Sequence, residues 1–251
     1  MKPLSIQLYS LREASAADFD AVLGELASIG FKGVEPFHLF DKSPEAFRTQ
    51  VEDLGMRISS SHYPWANRTE PQELIDTLGA LGLTRAVGGY MPDDFKDLDA
   101  IEKTAQATVT LQERLASAGI ELALHNHWWE FELIDGEPGY HHFQRLAPDV
   151  LFELDTYWAA NFGKCDPAAE VARVRSRTPL LHIKDGPLIK DAANVVLGTG
   201  VINIPEVIAA AEPDTLEWLV VEFDKCDTDM MAAVRQSYEY LISNALGSGN
   251  V

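Results

Sequence analysis

Long apolar runs, cysteines and positive charges are all scarce in this 251-residue chain. No stretch approaches the ~20 consecutive apolar residues that a membrane-spanning helix requires. The N-terminal "MKPLSIQLYSLREASAAD" places Arg12 and Glu13 within a few residues of its first apolar run, so it reads as neither signal peptide nor membrane span. The two cysteines, Cys165 and Cys226, sit in no Cys-x-x-Cys spacing. That usage suits a reducing compartment, and a cytoplasmic protein is expected. Lys and Arg number 20 against 39 Asp and Glu, a net charge of -19. Such a balance repels polyanions, so neither nucleic acid nor an anionic membrane is expected as partner. The Gly-Thr-Gly at 198–200 lacks a following GK[ST] and is no phosphate cradle. Linkers, low-complexity tracts and internal boundaries are missing too, although the closing "GSGNV" is expected to fray.

Apolar residues make up 46% of the chain, and they fall in a regular alternation. Short apolar runs at 4–9, 32–36, 56–62, 85–90, 120–127, 150–155, 179–184 and 218–223 read as strands. Amphipathic stretches at 16–29, 44–54, 70–82, 97–118, 139–147, 167–175, 204–212 and 228–245 read as helices. The clearest is 97–118, where Leu98, Ile101, Ala105, Val109 and Leu115 lie near one face. Gly30, Gly55, Gly82 and Gly119 follow the first four helices, where a left-handed residue is wanted. Eight strand-helix units in one chain of this length predict a single (β/α)8 TIM barrel over 1–251. The long connection 185–203 is expected to be either a lid at the mouth or a surface excursion.

In such a barrel alternate side chains point inward, and the last inward ones line the mouth. The strand ends are polar on that parity: Gln7, Glu35, His62, then His125 and His127, Glu153 and Asp155, His182 and Lys184, Glu222 and Asp224. Lone strand-end carboxylates are commonly helix caps, but seven strands ending this way predict a shared site. Carboxylates and imidazoles together suit one divalent metal, with Mn²⁺ favoured and Mg²⁺, Co²⁺ or Zn²⁺ as alternatives. The best quartet is Glu130, Asp155, His182 and Glu222, drawn from four consecutive units. A metal there would polarise a sugar carbonyl while a carboxylate moves the proton α to it, Lys184 stabilising the developing charge. Trp65, Trp128, Trp129 and Trp158 follow strand ends, where they either stack on a sugar or roof the barrel. His38, His141 and His142 read as ordinary loop and helix-start residues.

The segments "IQLYSLR" (6–12), "GFKGVEPF" (30–37), "HNHWWEF" (125–131), "ELDTYW" (153–158), "LLHIKDG" (180–186), "VLGTGVINIPEVI" (196–208) and "WLVVEFD" (218–224) run through nearly the whole chain. In order and spacing they resemble the sugar phosphate isomerase/epimerase family of the xylose isomerase-like TIM-barrel superfamily. The resemblance implies a divalent metal held by an acidic residue of the fifth unit, then Asp, His and Glu from the next three. Asp155, His182 and Glu222 match those three. In the fifth unit the chain departs: many relatives carry Glu where this chain has His125, while its HNHxxEF stretch offers Glu130 five residues on. Glu130 is expected as the ligand, with His125 as its rival.

The expected activity is a metal-dependent isomerase or epimerase acting on a keto sugar, cyclitol or related polyol. Glu222 is its ligand and base, with His127 or Glu130 as counterpart and Lys184 beside them. Glu35, His62, His125, Trp128, Trp158 and Asp185 are expected to contact substrate, with capping of its loop as the alternative for Asp185. The resemblance implies that relatives often use two opposed glutamates, so a histidine in one of those places shifts the chemistry toward elimination. A lyase or dehydratase on 3-keto sugars is therefore the rival. A repair-endonuclease reading conflicts with the acidic charge, and the intact Asp155, His182 and Glu222 speak against a vestigial binding subunit. The expected partner is a small carbohydrate, with a homo-oligomer left open.

Overall fold

The eight apolar runs do form strands: β1 (Lys2–Gln7), β2 (Gly33–Glu35), β3 (Arg57–Ile58), β4 (Arg85–Gly89), β5 (Glu121–His125), β6 (Leu151–Asp155), β7 (Leu180–Ile183) and β8 (Trp218–Val221). The computed structural model, which describes residues 1–250, curls them into one parallel sheet in the order β3-β2-β1-β8-β7-β6-β5-β4. The run expected over 56–62 narrows to a two-residue ladder. Ser59–His62 continues beside β2 through bonds such as His62 N–H to the Pro36 carbonyl at 2.9 Å. Among the described residues β3 and β4 share no ladder. That seam is closed by Asn67, whose side chain donates to the Gly89 carbonyl (2.9 Å) and accepts from its N–H (3.2 Å).

Eight helices of six or more residues surround the sheet, α1 (Arg12–Ile29), α2 (Pro44–Asp53), α3 (Pro71–Leu81), α4 (Leu98–Ala116), α5 (Gly139–Leu146), α6 (Pro167–Val174), α7 (Ile204–Ala209) and α8 (Met230–Ser243), and a one-turn helix, Thr156–Ala159, follows β6. Their starts carry side-chain caps where the sequence supplies Ser, Asp or Asn. Ser43, Asp97, Asn203 and Asp229 each accept a backbone N–H from the first turn. Gly30 and Gly82 end α1 and α3 in the left-handed region, as their positions predict. The apolar parity of the strands, Leu122, Leu124, Phe152, Leu154, Leu181, Ile183, Leu219 and Val221, is fully buried. Each such side chain contributes about 1.5–3 kcal/mol relative to exposure.

Inside the barrel the lower end is apolar. Leu180, Trp218 and Val220 form their own cluster, with the Arg57 guanidinium 4.9 Å from the Trp218 ring centre. The indole lies so close to Gly33 that a Cβ there would sit 2.8 Å from it. Of the tail expected to fray, 247–250 is tied down, and Val251 lies outside the described residues. Gly247–Ser248 pairs in parallel with Lys2 and Pro3 of β1, and Asn250 N–H donates to the Gly30 carbonyl at 2.7 Å. Glycine is required there, since Leu4 and the Tyr238 hydroxyl approach the Cβ positions of Gly247 and Gly249.

Candidate active site

The polar parity of the strands builds two tiers at the upper end. In the lower tier Glu35 is wholly buried, and its carboxylate accepts bonds from the Gln7 amide, the Ser60 hydroxyl and, at 2.9 Å, His182 Nε2. Glu153, equally buried, bonds His62 Nε2 and lies 3.4 Å from both His125 Nδ1 and His182 Nε2. The upper tier holds His125, Asp155, Glu222, Lys184 and Asp224. His182 links the tiers, because its Nδ1 meets Glu222 Oε2 at 2.7 Å. The Lys184 ammonium lies 2.8 Å from Asp155 Oδ2, 2.8 Å from Glu222 Oε2 and 2.9 Å from Asp224 Oδ2.

Burial works against every charge in this cluster, and the neighbours decide which survive. For Glu35 burial wins, reinforced by the Glu153 charge, and its carboxyl is held above the usual range. Glu153 suffers the same burial, yet the His62 and His182 charges hold it well below that range. His182 is desolvated but surrounded by Glu35, Glu153 and Glu222, which raise it well above an ordinary imidazole. Burial dominates at His125, which stays neutral, the form that binds metals. Asp155 is raised by burial ahead of Lys184's attraction. Lys184 and Glu222 overcome burial through their opposite charges and stay ionised.

Two overlapping sets bring their ligand atoms within 4.8 Å of one another: His125, Asp155, His182 and Glu222 above, and His62, His125, Glu153 and His182 below. Three buried atoms in these sets, His125 Nδ1, Asp155 Oδ2 and Glu153 Oε1, have no directed hydrogen bond. Buried ligand atoms without a directed hydrogen bond, in a mixed nitrogen and oxygen set, fit a divalent transition ion. The upper set draws one residue from each of β5, β6 and β7 and from the end of β8.

The structure does not bring Glu130 into either set. It lies in a short 3-10 turn, Trp129–Phe131, which folds its carboxylate back so that Oε2 accepts the His127 backbone N–H at 2.9 Å. Its other oxygen is 3.9 Å from His127 Nδ1. The rival from the same motif, His125, is the fifth-unit residue that belongs to both sets. Asn126, which the sequence reading left outside the site, clasps Asp155 on both sides: it accepts the Asp155 N–H at 2.9 Å and donates to its carbonyl at 3.1 Å.

Over the cluster opens a cavity of about 250 Å³. His62, His125 and Glu222 line its floor, Tyr9, Phe37, Trp65 and Trp158 its walls, and His127 and Asp224 its edge. Of the residues expected at the site, His62, His125, His127, Trp158 and Glu222 line this cavity. Glu35 does not, because it lies sealed beneath His182. Trp128 is displaced as well, packed against Trp129 and Phe162 with the Lys190 ammonium over its ring. Tyr9 and Phe37 were missed, although they follow β1 and β2 as the tryptophans follow later strands. A larger cavity of about 490 Å³, between residues 187–201 and 226–228, contains none of the cluster.

Asp185 is also absent from the cavity lining. Its carboxylate accepts four backbone N–H groups, from Gly186 (2.8 Å), Gly198 (2.9 Å), Gly200 (3.0 Å) and Ile202 (3.1 Å). The 186–203 connection is thus wound around one buried charge. A Cβ at Gly200 would lie 2.1 Å from that carboxylate, which explains the Gly-Thr-Gly. Asn194, on the same loop, accepts the Asp224 N–H at 2.8 Å and so fixes the edge of the cavity.

A family model described as xylose isomerase-like TIM barrel matches residues 23–243. No curated protein matches the sequence. Solved structures with the same fold include a sugar phosphate isomerase/epimerase from Parabacteroides distasonis, at 23% identity and TM-score 0.78, covering 98% of this chain and 96% of that one. The IOLI protein, solved with a binding zinc atom, is 14% identical with TM-score 0.74 and 98% coverage of each chain. The probable 3-DHS dehydratase AsbF from Bacillus anthracis is 14% identical with TM-score 0.71, covering 96% of this chain and 99% of that one.

Proposed function

The chain belongs to the xylose isomerase-like TIM-barrel family, and on that premise we propose that it is a divalent-metal-dependent isomerase or epimerase of a small keto sugar, cyclitol or related polyol. The observation that carries the reading is the convergence of His125, Asp155, His182 and Glu222 under an aromatic-walled cavity. These four residues would hold the ion, His125 taking the role first given to Glu130. Bound there, a divalent ion such as Mn²⁺ supplies Lewis acidity to a substrate carbonyl.

The remaining steps belong to the protein. A cavity of about 250 Å³ equals roughly eight water volumes, enough for one sugar ring. Trp65 and Trp158 give it flat apolar faces for C–H groups. Glu222, held ionised at the floor, takes the proton from the carbon α to the carbonyl. His127, at the edge with a buried Nδ1 free of partners, is its counterpart, and Glu130 steadies it from behind.

A dehydratase is the second reading, favoured by one observation: the cavity lining carries the His127 imidazole and no second glutamate beside Glu222. The test incubates metal-stripped and Mn²⁺-loaded protein with a panel of keto sugars in D₂O. Deuterium incorporation at the α carbon is expected with metal and is expected to vanish on stripping and in Glu222→Gln. Exchange that survives both changes overturns the proposal. A product lighter by one water selects the dehydratase.

A further inference from the structure

Lys184 is among the largest side chains in the protein with essentially no exposure, and its ammonium sits against two of the four candidate ligands. Asp155 has one oxygen to offer a cation: its Oδ1 already accepts the Trp158 N–H at 2.8 Å as a helix cap. The free one, Oδ2, has the Lys184 ammonium 2.8 Å away but no directed hydrogen bond. Glu222 Oε2 is likewise 2.8 Å from Nζ while it faces His182 Nδ1. Only the 2.9 Å contact with Asp224 Oδ2 is a well-directed hydrogen bond.

We propose that Lys184 is a built-in cation that holds the ligand oxygens of Asp155 and Glu222 until a divalent ion takes them, whereupon it pivots on Asp224 into the cavity. The inference rests on the metal-dependent reading above. Two cations that share the same oxygens repel strongly in a buried site, so loading the ion drives the ammonium off. A landing place is ready. Asp224 lines the cavity and is partly exposed. Its backbone is fixed by Asn194 and by the Arg12 guanidinium, which donates to the Asp224 carbonyl at 3.0 Å. The Trp158 ring, 5.3 Å from Nζ, offers a further face for the displaced charge. Loading would thus place a cation beside the bound sugar only when the ion is present. Without the ion, the lysine keeps the carboxylate cluster neutralised.

The test has two arms on the full chain, stripped with chelator. Calorimetric titration with Mn²⁺ compares wild type with Lys184→Met, and affinity is expected to rise about tenfold or more in the variant. Acylation of the Lys184 amine in wild type, read by peptide mass spectrometry, is expected to be several-fold faster with Mn²⁺ than without. The labelling arm needs no variant, so poor folding of Lys184→Met does not blunt it. Labelling that is unchanged or slower with the ion overturns the proposal, even where the variant binds more tightly, because tighter binding alone needs only the lost charge. Wild type that binds Mn²⁺ as tightly as the variant, with unchanged labelling, overturns it while the metal reading stands. Binding seen only in Lys184→Met overturns it too, because a lysine that the ion never displaces is a fixed counter-charge. No binding in either removes the metal reading and this inference together.

Discussion

The two ends of the barrel are built by the same strands and share almost nothing. Along β7 the inward side chains run from Leu180 to His182 and then Lys184; along β8 they run from Trp218 and Val220 to Glu222. One step of two residues turns an apolar plug into a cluster of buried charge. Below, Trp218 is packed by Leu180, Val220 and Gly33 and covered by Arg57. On the rim of that end Arg85 bridges Glu121 and Glu217 at 2.9 Å. Above, carboxylates and imidazoles are held beside one another against the cost of burial. The lower end is where stability is made, and the upper end is where it is spent.

The sharpest way to break this comparison is at Glu222. Glu222→Gln is expected to lower proton exchange by about 10²–10⁴-fold while the thermal midpoint stays close to wild type; a large fall in the midpoint would merge the two ends. Trp218→Ala is the opposite experiment. It is expected to cost about 3–5 kcal/mol in urea unfolding, with Mn²⁺ affinity of the folded protein unchanged. Glu35→Gln lies between them. It weakens the bond that orients His182 and is expected to reduce Mn²⁺ affinity by about tenfold, measured by calorimetry. The smallest effect belongs to the tail. A chain ending at Leu246 loses the Asn250 contacts to Gly30, Phe31 and Gly55 and is expected to lose about 1–2 kcal/mol, measured by chemical denaturation, without change in exchange rate.

Much of the upper end was legible because strand parity is a local rule. Asp155, His182, Lys184 and Glu222 need only a period of two and an end point. Glu130 was not legible, since its position depends on how the turn after β5 folds. The carboxylate bonds the nearest free N–H, that of His127, before it can reach a more distant ion. Asp185 was legible only as a residue that caps its loop, since its partners lie up to 17 residues along the chain and only the path of the loop brings them back. The ordered tail was hidden because glycine and serine read as flexible. Their small size is what admits Leu4 and the Tyr238 hydroxyl.

The seam between β3 and β4 separates two jobs. Trp65, which walls the cavity, sits next to the Asn67 clasp and packs on Gly89, whereas His125, Asp155, His182 and Glu222 stand on the uninterrupted run from β5 to β8. Loosening or rebuilding the seam would therefore reshape what the cavity admits and leave the chemistry untouched. Evolution, or a protein engineer, has a natural place there to change the choice of molecule without relearning the reaction.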